Sequence, residues 1–170
     1  MDGRSLRVRF LPSLTAGSGK LYSNRTHGEP VHAASFVRKR EIVLDRELER
    51  NSGELARILT HELFHFVWAR LGNGTRRSWE AALRQERQAR ARGELGWSAE
   101  SRKLCLPRGS RMPARKPTQW REYLCESFCD TAAWLYSGVR RHPEFTLAAR
   151  HRRRRAQWFR TAFPGGVIPI

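Results

Sequence analysis

Cysteine is scarce in this chain. Cys105, Cys125 and Cys129 are the three present in 170 residues, an odd number that builds no disulfide framework and leads us to expect a reducing, cytoplasmic setting. Long apolar runs are missing as well: no stretch approaches the roughly 18 consecutive apolar residues of a membrane helix. Residues 1–10, MDGRSLRVRF, alternate charge with apolar side chains and carry no signal-peptide core. No self-similarity recurs at periods of roughly 20–50 residues, which argues against a solenoid. Acidic residues are in short supply, 16 against 33 Lys and Arg, for a net charge of +17. Lysine contributes little of this, being confined to Lys20, Lys39, Lys103 and Lys116.

What is present bounds the answer from the other side. A chain that is 39% hydrophobic and 10% aromatic can bury a core, so full disorder is excluded. The length suits one domain spanning 1–170. The positive field would attract a nucleic acid, an anionic surface or an acidic protein partner. Basic residues gather between Arg102 and Lys116 and again between Arg150 and Arg155. The same composition also fits a solvated arginine-rich surface, since charge alone names no partner.

The pattern of elements predicts an α+β fold, with a small N-terminal antiparallel or mixed sheet followed by helices. Leu6-Arg7-Val8-Arg9-Phe10 alternates as a strand does, and Ala34-Ser35-Phe36-Val37 and Glu41-Ile42-Val43-Leu44 follow. Arg38-Lys39-Arg40 between the latter two either turns a hairpin or continues one long strand. Residues 16–19 and 24–30 are turn or loop material. Asn51 with Glu54 suits a helix N-terminus, and Gly72 after Leu71 suits its end. Within that helix Leu55, Ile58, Leu59, Leu63, Phe66 and Val67 share one broad arc. A second helix is expected over 78–92, an irregular basic loop over 103–117 with Pro107, Pro113 and Pro117, and a third helix from Thr118 to near Gly138. The segment 140–163 is expected to be helical after Pro143, and the apolar tail 167–170 to pack on the domain.

The chemistry concentrates in His61-Glu62-Leu63-Phe64-His65. On a helix, positions i and i+4 share a face, so both imidazoles can hold one metal ion while Glu62 reaches a water on it. Such a motif arises by chance in roughly 1–2% of shuffled chains of this composition. Zinc lowers the pKa of bound water, and the carboxylate takes the proton and returns it to a leaving amine. A catalytic zinc usually takes a third protein ligand. Trp68 and Leu71 stand where the metzincin extension requires Gly and His, so the third ligand lies elsewhere.

The segment 123–136 reads as an apolar helix whose charges are Glu126 and Asp130, four apart on one face; Leu124, Phe128, Ala132 and Leu135 form the opposite face. Two such carboxylates need positive partners. Zinc for Glu126 and a ligand imidazole N–H for Asp130 would serve; ion pairs with arginines are the alternative. Glu122 falls on the side nearer solvent and is not expected to ligate. Cys125 and Cys129 are also four apart and are expected to face the apolar side, away from Glu126, as small hydrophobes.

His61-Glu62-x-x-His65 followed by Glu126-x-x-x-Asp130 resembles the gluzincin metallopeptidases, the thermolysin-like branch of the zincins. The match covers two helices and the strand before the first. The resemblance implies a zincin-like fold and one Zn2+ per chain held by His61, His65 and Glu126. It also implies Glu62 as general base, Asp130 orienting a ligand histidine, and a zinc-dependent endopeptidase acting on a peptide or protein. It makes the strand at 40–44 the sheet edge that aligns an extended substrate. This chain departs from the family in its small size and its long gap between His65 and Glu126. No oxyanion-holding residue aligns; Tyr123, His142 and His151 are the weak candidates. Two other functions remain open at this point: a nucleic-acid-associated protein of the same fold, and a regulatory module with a structural zinc.

Overall fold

The β-branched and apolar run Ile42-Val43-Leu44 is buried on both faces, which places its strand in the middle of a sheet rather than at a border. In the computed structural model, which describes residues 5–24, 28–107, 118–166 and 168, six strands form two small sheets. Strand β1 (Arg7–Leu11) leads to β2 (Leu14–Gly17), β3 (Lys20–Ser23) and β4 (Glu29–Pro30), then β5 (Ala33–Phe36) and β6 (Glu41–Asp45). The first sheet has the order β1-β6-β5, with β1 parallel and β5 antiparallel to β6. The second is antiparallel, in the order β3-β2-β4. The buried carboxylate of Asp45 joins the two, accepting from the Leu14 amide at 2.7 Å and the Glu47 amide at 2.9 Å.

Five helices follow: α1 (Ser52–Arg70), α2 (Asn73–Gln88), α3 (Trp97–Leu104), α4 (Thr118–Tyr136) and α5 (Ala149–Ala162). Asn51 caps α1, its Oδ1 accepting from the Glu54 amide at 3.1 Å. One flank of α1, with Leu55, Ile58, Leu59, Leu63 and Phe66, packs on Ile42 and Leu44 of the sheet. Its other flank, with Phe64 and Val67, meets Leu124, Phe128 and Ala132 of α4 in an aromatic core completed by Trp79, Trp120 and Phe159. Helix α1 is therefore a middle layer, and its two polar positions facing α4 are the histidines. Among the described residues no helix is long and apolar enough to cross a membrane.

Several sequence expectations are corrected. The strand at 40–44 is central and not an edge; β1 and β5 are the borders, and β5 is the one in contact with α1. Of the two readings left open for Arg38-Lys39-Arg40, the structure has the hairpin, with Arg40 left-handed at φ 51°. Residues 16–19, read as turn or loop, are the end and turn of a two-stranded hairpin in which Ser18 and Gly19 take positive φ, and Glu29–Pro30, within the other expected loop, pairs as β4. Gly72 does not end α1 in a left-handed turn: with φ −64° it caps α2, which starts at once and ends near 88, where Arg90 turns left-handed. Helix α3 was not foreseen, and its last turn takes up Lys103 and Leu104 from the expected loop. Residues 108–117 of that loop lie outside the described residues, as do 167, 169 and 170 of the apolar tail, whose Ile168 packs on the core. The last helix begins at Ala149 rather than after Pro143, because the Thr146 and Leu147 amides both donate to the Glu94 carbonyl and hold the segment open.

A buried ion network ties α2, α4 and α5 together. Fully buried Arg155 donates to Glu86 and to Glu94, and Glu94 also accepts from the Tyr123 hydroxyl at 2.6 Å and Lys103 at 2.9 Å. Burial alone would raise the Glu94 pKa, yet the charges of Arg155 and Lys103 hold it below its usual value. Arg155→Met should therefore cost about 3–5 kcal/mol, since it leaves buried carboxylates uncompensated. The sign of the pH effect follows. In the wild type a depressed Glu94 pKa stabilises the fold above about pH 4.5, and this is lost on acidification. In the variant burial dominates and the charged form is penalised. The stability gap between the two proteins, measured by urea unfolding, should narrow from pH 7 toward pH 4.

Candidate metal centre

His61 and His65 leave α1 one turn apart, and Glu126 and Asp130 leave α4 one turn apart. The two helices face each other, so the four side chains meet. His61 Nε2 lies 3.2 Å from His65 Nε2 and 3.3 Å from Glu126 Oε2, and His65 Nε2 lies 3.9 Å from the same oxygen. A tetrahedral zinc with bonds of about 2.0–2.1 Å holds its donors about 3.3 Å apart. Two of these three spacings match that figure and the third, at 3.9 Å, is longer, so the donor set fits such an ion once Glu126 closes toward His65. Glu122, as expected, stands apart, exposed and paired with Arg102 at 3.6 Å.

Behind His61, Nδ1 meets Asp130 Oδ1 at 2.7 Å, and the other oxygen of Asp130 accepts from the Ala99 amide at 2.8 Å. Burial alone would lower the His61 pKa, but the Asp130 charge and hydrogen bond reverse this and hold it well above the usual value. Burial likewise opposes ionisation of Glu126, and its contacts with His61 and His65 override that and lower its pKa. Glu62 is 8% exposed and, among the described residues, no side-chain or backbone group donates to its carboxylate. It faces a cavity of about 390 Å3 shared with His61, Asp130, Arg57, Trp97 and residues 29–33, from β4 to the first residue of β5. A groove of about 670 Å3 reaches His65, Cys125 and Glu126 from the other side, past Trp68 and Arg121.

The cysteines do not face away as expected. Cys125 Sγ lies 3.5 Å from His65 Nδ1. The ligand atoms of Cys129, His61 and His65 lie within 4.8 Å of one another, as do those of His65, Cys125 and Glu126. Helix α1 crosses α4 broadly enough to touch the flank that carries both thiols. A hydrogen bond from Cys129, reinforced by His65, lowers the Cys125 pKa to about 6, while burial pushes Cys129 well up. The three weak oxyanion candidates are engaged elsewhere. Tyr123 donates to Glu94, His142 pairs with Glu54 at 3.2 Å, and His151 is buried beside Arg150 on α5.

Two positions escaped sequence reading. Arg57, one turn before His61, is buried and bridges Glu54 and Glu144 (Nη1 to Glu144 at 3.1 Å), which adds positive charge near Asp130. Gly96 precedes α3, and a Cβ there would lie 2.3 Å from the Asp130 carboxyl carbon. The signal available was a lone glycine directly before a short helix, which marks a close approach as readily as a turn. Gly96→Ala should displace Asp130, cost about 1–3 kcal/mol through overpacking and lower the His61 pKa of the metal-free protein. An NMR titration of the imidazoles checks this. Comparison with protein-family models, with curated proteins and with solved structures finds no match for the chain.

Proposed function

We propose that the protein is a zinc-dependent metallopeptidase, an endopeptidase that hydrolyses peptide bonds in peptide or protein substrates, with His61, His65 and Glu126 as metal ligands and Glu62 as general base. The observation that carries this reading is the convergence of three donor atoms beside a buried carboxylate with no donor of its own among the described residues. Zinc bound there would supply a Lewis acid that favours ionisation of water and polarises a carbonyl. The chain's own residues do the rest. Glu62 takes the proton of the attacking water and passes it to the amine as the C–N bond breaks. Asp130 fixes the His61 tautomer by accepting from Nδ1. The open border of β5, continuous with the wall of the Glu62 cavity, offers main-chain groups to an extended peptide.

A structural or regulatory zinc is the second reading, favoured by one observation: Cys129 stands close enough to both histidines to close the coordination. The basic run of α5 lends less to a nucleic-acid reading, since Arg155 is wholly buried and Arg152 donates to the carbonyls of Phe145 and Leu147.

Purified protein should carry about one zinc per chain. Glu62→Gln should keep the zinc and lose about 10²–10⁴-fold in casein hydrolysis; undiminished hydrolysis would refute the mechanism. Glu126→Ala should abolish tight zinc binding, measured by chelator competition, whereas Glu122→Ala should leave it unchanged.

A further inference from the structure

The two ligand histidines of the proposed centre are backed by different chemistry. An imidazole that gives Nε2 to a metal carries its proton on Nδ1, and that proton needs an acceptor. For His61 the acceptor is the Asp130 carboxylate at 2.7 Å; for His65 it is the sulfur of Cys125 at 3.5 Å. Asp130 is 2% exposed and sealed under Gly96. Cys125, in contrast, is half-buried and lines the 670 Å3 groove. Cys129 lies buried one turn further along α4, and exposed Cys105 belongs to neither donor set. A ligand histidine thus depends on a group that is both nucleophilic and reachable from solvent.

We propose that Cys125 is the positioning residue of His65 and a modification site for soft electrophiles of the α,β-unsaturated carbonyl class, whose addition releases the metal. The inference rests on the metal-centre reading above. In the addition, sulfur forms a bond to the β-carbon, the π pair moves to the α-carbon, and the thiol proton ends there; nothing leaves. The product is a bulky thioether, a poorer acceptor. It occupies the groove beside Glu126, so His65 loses its orientation and the centre loses a ligand.

N-ethylmaleimide is the probe, applied to the zinc-loaded full chain carrying Cys105→Ser. Adduct position is read by mass spectrometry and released zinc by a chromophoric indicator. One adduct at Cys125 should appear in step with zinc release, and adding Cys125→Ser should abolish both. Without maleimide, Cys125→Ala should weaken zinc binding about 10–100-fold. Cys125→Ser should restore most of that loss, because its hydroxyl oxygen accepts the same proton. A purely packing role would not favour serine over alanine. An adduct at Cys125 with zinc retained overturns the proposal, as does a serine variant no better than alanine. A chain that never loads zinc overturns the metal reading itself, and that result is visible before any maleimide is added.

Discussion

The Asp130 carboxylate fixes the relation between three helices. One oxygen takes the His61 ring N–H from α1 and the other takes the Ala99 amide at the start of α3, with Gly96 stripped of a side chain to let it in. An ionised carboxylate at this depth is tolerated because each oxygen is matched and Arg57 adds positive charge nearby. Once Asp130 is set, the rotation and register of α4 against α1 are set too. Glu126 then has to stand one turn earlier, opposite both histidines. The aromatic packing of Phe64, Phe128 and Phe159 behind this contact stabilises the same arrangement without specifying which residues meet.

The parts of the site legible in the sequence were those that depend on spacing within one helix. His61 and His65 on one face, and Glu126 and Asp130 on another, follow from 3.6 residues per turn, and an apolar background made the carboxylates conspicuous. The α+β class was legible for the same reason, from alternation early and helical arcs later. Illegible were features set by contact between distant segments. Whether β6 is central or marginal depends on β1, which pairs from thirty-odd residues away in parallel. Cys125 and Cys129 look apolar on their own helix, and their approach to the histidines depends on how broadly α1 lies across α4. Gly72 and Gly93 both read as helix stops. Helix α1 does end before Gly72, but Gly72 also opens α2, and Gly93 is pressed on the Thr146 backbone, where a Cβ would come within 2.6 Å.

The strong positive charge also has a different meaning once the interior is known. Part of it is structural: Arg155 neutralises Glu86 and Glu94 within the core, Arg57 joins Glu54 and Glu144, and Arg152 serves as a donor to open carbonyls. Arginine suits these roles because its planar guanidinium donates in several fixed directions and stays charged when buried. Five carboxylates, Glu54, Glu86, Glu94, Glu126 and Asp130, are committed to these contacts and the donor cluster against three arginines, which leaves the exterior more positive than the sequence as a whole. Excess surface charge is therefore partly a residue of how the core is wired, and need not point to a polyanionic partner.

The same logic bears on the donor cluster. Three carboxylates, Glu62, Glu126 and Asp130, surround two imidazoles in a poorly solvated space. A proton on His61 offsets a single negative charge, and the raised pKa of that ring reflects the demand for it. With His61 neutral and its proton on Nδ1, its Nε2 instead lies 3.2 Å from His65 Nε2, where two lone pairs oppose each other unless His65 Nε2 carries hydrogen. A dication shared by both nitrogens and Glu126 would remove that conflict and add a further positive charge at the point where the negative charge converges. Glu62 lines the cavity that His61 also reaches, without a donor of its own among the described residues; in the proposed mechanism it would handle the proton, because the other two carboxylates are held by the histidines.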